Sequence, residues 1–461
     1  MQEEGRGPAA AAVVHLKSSC TIKPAGSTPT HPLWLSDVDQ IMPFTHAPTV
    51  YFYRRSSSSS SSNDSTPFFS PDVMKSALSQ ALVKFYPLAG RLHHGPRGRL
   101  QLDCNAMGVL FVEAESNSQV DDFGDFTPRP GLRKLVPTVD YTTHIGSWPL
   151  LLAQLTFFRC GGVCLGLGVC HTLADGFAAM HFVSTWAGIA RGDDAQNPGG
   201  VVDPFFDRTV LRARDPPPPA PAFEHPEFDP LPLLIGHDDD SELRRKETEV
   251  AMLKLSPEQV GKLRQAAPGC SRFLAVASHV WRSACRARRL HPDQVTKMSF
   301  AVDWRSRLRP PLPKGYFGNA AFVTLPSARS GELASEPLSA TAQRVREALE
   351  KMSDEYLRST LDFMAAQEDL GPYRRGSHTL GCGGRQGRFY GCPNMAFTSW
   401  LGLPLYDADF RWGPPAHMGP AAVGFDGKVF LMQSGEGLHI ATRLMKEHME
   451  AFKEIFYEGL L

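Results

Sequence analysis

His171 follows the apolar run VCLGLGVC (163–170) and opens the hexapeptide HTLADG (171–176). An imidazole on a short turn, anchored by a strand, can project into a cleft and exchange a proton there. Its four-residue spacing to Asp175, with His181 beyond, could suggest half of a metal site. Zinc needs three or four protein ligands, and no compact His/Cys cluster completes a set, so no metal is expected. No G-x-S-x-G elbow and no P-loop is present, so hydrolase and nucleotide-driven readings lose ground. A histidine without a partner nucleophile suits direct transfer. It would act as general base, taking the proton of an acceptor hydroxyl or amine as that atom attacks an activated carbonyl. Asp175 would point away and pair with a cation, for which AVDWRSRL (301–308) offers Arg305 and Arg307. The structural alternative is a histidine packed at a strand end, with Asp175 only capping a helix.

The elements that hold these residues follow from periodicity. VCLGLGVC, bounded by Gly161-Gly162, reads as a buried strand. Phe177, Met180, Phe182, Val183 and Trp186 recur on a helical period, so Asp175 falls at a helix start, where a carboxylate satisfies free N–H groups. LLLAQLTFFRC…VCLGLGVC (150–170) reads as a strand pair, and GRLQLDCNAMGVLFVEAE (98–115) as strand, turn, strand. SPDVMKSALSQALVKFYPLAG (70–90) has helical spacing that stops at Pro87, and the segment capped by Ser256 and FLAVASHVWRSACRARRL are helical too; the stretch from Glu332 to Gln367 reads as one long helical region. Strands and helices mix in both halves, giving an α/β (α+β) class.

Three stretches punctuate the chain. RRSSSSSSSNDSTP from Arg54 is a polar surface loop, and LGCGGRQGRFYGCP (380–393) is a glycine-rich insertion. Residues 193–232, with RARDPPPPAPAFEHPEFDPLP, are too proline-rich for a helix or interior strand and form a crossover linker between lobes 1–192 and 233–461. The chain has 461 residues and balances 48 Lys plus Arg against 48 Asp plus Glu, which argues against nucleic acid or an acidic membrane as partner. Its nine cysteines are scattered without a CxxC pair, the start MQEEGRGPAAAAVV is acidic where a leader needs basic residues, and no run of about 18 apolar residues exists. A soluble, cytoplasmic monomer is the expectation.

HTLADG together with DFRWG (409–413) resembles the HxxxDG and DFGWG signatures of the plant BAHD acyl-CoA-dependent acyltransferases. WLSDVDQ (34–40), HAPTVYFYR (46–54), YPLAGR (86–91), LDCNAMGVLFVEAE (102–115), SHVWRSACRAR (278–288), DWRSRLRPPLPKGYFGNA (303–320) and TSW (398–400) support it in order. Within the family the wording looks closest to the spermidine hydroxycinnamoyltransferases, with the shikimate/quinate enzymes near relatives. The resemblance implies two chloramphenicol-acetyltransferase-like lobes and a channel that admits acyl-CoA from one mouth and acceptor from the other. No cofactor is held permanently; hydroxycinnamoyl-CoA is the donor and spermidine the first acceptor. A shikimate- or quinate-type alcohol is the alternative, and a non-catalytic binding protein of the same fold the third reading.

Residue by residue, it implies His171 as base and Asp175 as its structural support, paired with Arg305, with Gly176 permitting a tight turn. Thr398 and Trp400 would stabilise the oxyanion, His46, Thr49 and Tyr51 would line the acceptor pocket, and Arg375 would match an acceptor-carboxylate arginine. Asp409, Trp412 and Gly413 of DFRWG would shape the CoA side. Ser271, or Lys254 and Arg272, would meet CoA. Arg411 replaces the middle glycine of that motif; if the position holds a positive φ, arginine costs about 1 kcal/mol or more there.

Overall fold

A computed structural model describes residues 13–55, 67–95, 98–193, 202–374 and 390–460. Two large mixed sheets carry the molecule. In the first, the strand order is Val14–Ile22, Val109–Ser116, Leu151–Phe158, Val163–Cys170, His46–Tyr53 and His417–Pro420. All eight residues of Val163–Cys170 are buried, because the strand lies between two neighbours with both faces covered. Gly166 in it cannot be replaced: a Cβ there would stand 1.8 Å from the Leu135 carbonyl oxygen. The last strand comes from the C-terminal half and pairs antiparallel with His46–Tyr53, so the second half of the chain completes the sheet of the first.

The second sheet runs Ala321–Thr324, Val295–Asp303, Met395–Ser399, Lys428–Ser434, Gly437–Met445, Thr248–Leu255. One face packs on helices Arg272–Ala287 and Lys446–Tyr457 through Met298, Phe300, Phe397, Val429, Leu431, Ile440 and Leu444. The other face turns Met432 and Ala441, with Trp400 and Phe430 beside them, toward the first-lobe core. Helices Pro71–Lys84 and Gly176–Arg191 close that core; Trp186 is fully buried and donates its indole N–H to the Met74 carbonyl at 3.1 Å.

Several expectations change. The two strands expected within 98–115 form as Leu100–Asp103 and Val109–Ser116, but they lie in different sheets, the first in a small one with Arg91–His94 and Leu33–Trp34. The long helical region divides into Ser330–Ser335, Leu338–Glu350 and Asp354–Ala366, because Pro337 and the capping Ser353 interrupt it. The proline-rich linker is more than a connector, since Leu211 and Phe228 enter a third core with Val302, Trp304 and Leu357. The polyserine stretch 56–66 and residues 375–389 lie outside the described residues. Among the described residues no helix is long and apolar enough to cross a membrane.

Candidate active site

The His171 turn is fixed through its backbone while its side chain stays partly exposed. The His171 N–H donates to the Thr45 carbonyl at 3.1 Å, and its carbonyl accepts from the Asn319 amide at 2.9 Å. Thr172 donates its hydroxyl to Pro43 O at 3.1 Å. The base of the imidazole is thereby tied to the segment that leads into the His46–Tyr53 strand and to a segment of the second half of the chain.

Asp175 is buried and its two oxygens accept four hydrogen bonds. Oδ1 takes Ala178 N at 3.0 Å, capping the helix, and Arg305 Nη2 at 2.9 Å; Oδ2 takes Arg305 Nη1 at 2.8 Å and Ala320 N at 2.9 Å. A carboxylate so saturated orients the turn and bridges the halves of the chain. Burial alone would lower the Arg305 pKa; Asp175, with Asp303 beside it, more than offsets this and raises it. Arg307 instead donates to the Leu349 and Met352 carbonyls. Gly176 does not serve a tight turn. It begins the helix, and its missing Cβ leaves room for Leu403, whose Cδ1 lies 3.0 Å from where that atom would be. The loop after Trp400 thus seats directly against the His171–Gly176 turn.

A second clamp was not foreseen from the sequence. Asp39 and Arg208, both with fully buried side chains, pair at 3.0 Å. Arg208 donates to Leu173 O at 2.9 Å, and Asp39 Oδ1 holds the Asn319 side chain at 2.8 Å, which in turn reaches His171 O and Thr172 O. Asp39 lies in WLSDVDQ and Asn319 in GYFGNA, segments matched as wording without a role; the Ser36–Asp39 capping box was the available signal.

Thr398 and Trp400 stand on the face of the second sheet that meets the first lobe. Lys428 Nζ donates to Thr398 Oγ1 at 2.5 Å, and Trp400 packs on Phe430 with ring centroids 5.0 Å apart. An ammonium only donates, so the hydroxyl hydrogen of Thr398 is directed to some other acceptor.

The acceptor residues expected on the His46–Tyr53 strand do not act together. Side chains alternate across a strand, so His46 lies on the opposite face from Thr49 and Tyr51. His46 is buried, with Nδ1 2.7 Å from the Tyr141 hydroxyl and Nε2 2.7 Å from Pro149 O, and burial pushes its pKa down to about 4. Tyr51 is sealed in the core, its hydroxyl on Met180 Sδ at 3.5 Å. Both are corrected to packing roles; Thr49 alone of the three is partly exposed without such a commitment. Arg375 lies outside the described residues. Its neighbour Arg374 stacks 3.9 Å over the Phe44 ring and donates to Gln40 O at 3.1 Å.

Ser271 caps the helix Arg272–Ala287 by accepting from Leu274 N at 3.2 Å, and Arg272 reaches Gln433 at 3.4 Å. In DFRWG, Asp409 Oδ1 accepts from the Arg411 and Gly413 amides at 2.9 Å each, Phe410 is buried, and Trp412 packs on Phe69 with centroids 4.8 Å apart. Arg411 has φ 92°, a conformation that favours glycine, so the substitution is strained.

A rival constellation exists. Ser359 Oγ lies 2.9 Å from His225 Nε2, and His225 Nδ1 lies 3.0 Å from Glu227 Oε1, the connectivity of a serine hydrolase. Yet Ser359 has 0% exposure, and its oxygen already accepts from Phe223 N at 3.3 Å. The cluster ties the linker to the helix Asp354–Ala366. Among the described residues no group of three or more His, Cys, Asp or Glu could hold a metal ion.

The comparisons with known proteins agree with this architecture. A model of the Transferase family matches residues 12–459. The shikimate O-hydroxycinnamoyltransferase of Nicotiana tabacum is 44% identical over 96% of this chain and 99% of its own. The hydroxycinnamoyl-CoA:5-hydroxyanthranilate N-hydroxycinnamoyltransferase of Avena sativa is 42% identical over 96% and 99%. The crystal structure of vinorine synthase shares the fold, with a TM-score of 0.71 at 24% identity, covering 95% of this chain and 96% of that one. With residues 12–459 matched and its HTLADG and DFRWG elements set in the same two-lobed fold, this protein belongs to the BAHD acyltransferases of the Transferase family, which use acyl-CoA as a substrate.

Proposed function

We propose that this enzyme transfers a hydroxycinnamoyl group from its CoA thioester to a hydroxyl group of a carboxylic-acid acceptor, with His171 as general base in a ternary complex. The observation that carries this reading is the setting of His171, a partly exposed imidazole whose backbone is pinned from both halves of the chain. His171 takes the acceptor's proton as its oxygen attacks the thioester carbonyl. The tetrahedral intermediate collapses by breaking the C–S bond, and the imidazolium returns the proton to the CoA sulfur. Thr398 and Trp400 are the donors for the oxyanion, each such donor being worth about 2.7–4 kcal/mol.

The acceptor departs from the polyamine suggested by the wording of the sequence. Shikimate and 5-hydroxyanthranilate, the acceptors in the names of the two relatives, both carry a carboxylate. A polyamine would need carboxylates along its path, and the face bearing Thr398 presents Lys428. The test mixes purified protein with p-coumaroyl-, caffeoyl- or feruloyl-CoA and shikimate, quinate or spermidine, following free thiol and product mass. Esters of the acids are expected. Amides from spermidine alone would overturn the acceptor assignment, and no thiol release with any acceptor would favour a non-catalytic protein of the same fold.

A further inference from the structure

Thr398 and Trp400 share one face of the second sheet, and a single ammonium touches the setting of both. Met395 and Phe397 enter the second-lobe core, so alternation puts Ala396 and Thr398 on the opposite face. Met395–Ser399 and Lys428–Ser434 run parallel, with Ala396 beside Lys428 and Thr398 beside Phe430. The small Ala396 side chain leaves the lysine room to lie along the face, and its Nζ donates to Thr398 Oγ1 at 2.5 Å. The same Nζ lies 4.8 Å over the Phe430 ring, and that ring packs on Trp400 with centroids 5.0 Å apart. Trp400 is kept in step with the neighbouring strand, its N–H donating to Leu431 O at 2.8 Å. The loop beyond it seats Leu403 against Gly176, so this end of the face adjoins the His171 turn.

A threonine hydroxyl donates one hydrogen and accepts at its lone pairs, and rotation about the C–O bond decides which direction each takes. Left to itself it can turn that hydrogen to a nearby backbone carbonyl, where it does nothing for a substrate. An ammonium restricts the choice. It carries three hydrogens and no lone pair, so Thr398 accepts from it and sends its own hydrogen in another direction. One of the three hydrogens suffices for this, whatever else the ammonium touches. A positive charge on the accepting side also polarises the O–H bond, since hydrogen bonds in a chain strengthen one another. The donor is thereby set before the thioester carbonyl gains charge, and an oxyanion site owes its effect to such preorganisation.

We propose that Lys428 is the positioning residue of the oxyanion site, holding the Thr398 hydroxyl as a donor toward the thioester carbonyl. The proposal rests on the reading of Thr398 as an oxyanion donor given above. No proton leaves the threonine: its hydrogen bond to the carbonyl oxygen strengthens as the tetrahedral intermediate forms and weakens when the C–S bond breaks. Lys428 acts through Thr398, and the face of the Phe430 ring keeps its ammonium in place.

The test measures turnover of p-coumaroyl-CoA with shikimate by the full-length protein, Lys428→Met, Thr398→Val, the double variant and Lys428→Arg. Thr398→Val should lower kcat about 10²- to 10³-fold, as loss of one oxyanion donor does. Lys428→Met should lower kcat about 10- to 100-fold, the loss of one charge-assisted hydrogen bond, with both KM values unchanged. The double variant should match Thr398→Val, because the lysine then has nothing to orient. Lys428→Arg, which also only donates, should recover most of the loss. A Lys428→Met loss that multiplies with that of Thr398→Val, or that appears in KM alone, would overturn the positioning role while leaving Thr398 in its place. No loss in Thr398→Val sinks the oxyanion reading and the proposal with it. If the wild type acylates no acceptor, the absorption band of bound p-coumaroyl-CoA decides, since a conjugated thioester absorbs at longer wavelength when its carbonyl is polarised. A red shift in the wild type that shrinks equally in both single variants supports the proposal; no shift, or one unaltered in Lys428→Met, overturns it. A kcat loss that tracks a fall in melting temperature and is not restored by Lys428→Arg marks a structural role and also overturns it.

Discussion

The turn around His171 and the cluster around His225 use the same materials to different ends. Each sets an imidazole among groups drawn from distant parts of the chain, and each includes a buried carboxylate. At His225 the carboxylate, the imidazole and a serine hydroxyl are joined in a line, and every member is spent on another. At His171 the carboxylate of Asp175 is spent on Arg305, the helix end and Ala320, and the imidazole is left at a partly exposed position. Hydrogen-bond connectivity alone therefore does not single out one of the two histidines as the base proposed above. Access separates them, together with a framework that holds the His171 backbone from both halves of the chain.

The largest effect tests that framework. Asp39→Asn leaves Arg208 buried without its counter-charge, and denaturant unfolding should show a loss of about 3–5 kcal/mol. Transfer should fall as well, since one of the two oxygens that hold Asn319 and Arg208 becomes an NH2 donor, and the Asn319 contact to His171 is disturbed. A stability loss without change in kcat would separate the clamp from the site and break the comparison.

Next is acid. Burial holds His46 neutral in the folded state, with its pKa down to about 4 from an ordinary 6.5. The unfolded chain therefore binds the proton first as pH falls. The stabilisation is full above pH 6.5 and lost progressively toward pH 4, amounting to about 3 kcal/mol at that end. His46 pairs in register with Cys170, the residue before His171. His46→Gln should flatten the dependence of unfolding free energy on pH over this window; an unchanged slope would place the acid sensitivity elsewhere.

Glu227→Gln sharpens the contrast from the other side. It should cost about 1–3 kcal/mol as the His225 and Tyr356 partners lose a charged acceptor, while kcat per folded molecule stays at the wild-type value. A proportionate loss of kcat would make the sealed cluster functional after all. Smallest is Arg411→Gly, which relieves a positive φ and should add about 1 kcal/mol of stability; destabilisation would show that the arginine side chain contributes more than its backbone strain removes.

What the sequence disclosed follows from the range of the signals. Alternation and helical period are local, so the strand before His171, the helix after it and the capping role of Asp175 were readable. The pairing of Asp175 with Arg305 rather than Arg307 needed either a family resemblance or the fold, because 130 residues separate them. Asp39, Arg208 and Asn319 come from three distant segments, and no local pattern joins them. The three residues expected to share an acceptor pocket on HAPTVYFY fell on opposite faces because similarity of wording ignores the two-residue alternation of a strand. Lys428 gave no signal: in KVFLMQS it reads as an ordinary charge at a strand end.

The most direct measurement is turnover of His171→Gln with p-coumaroyl-CoA and shikimate, followed by thiol release and ester mass. Removing a positioned general base should lower kcat about 10²- to 10⁴-fold while CoA binding and the unfolding transition remain those of the wild type. Undiminished ester formation by that variant would contradict the account.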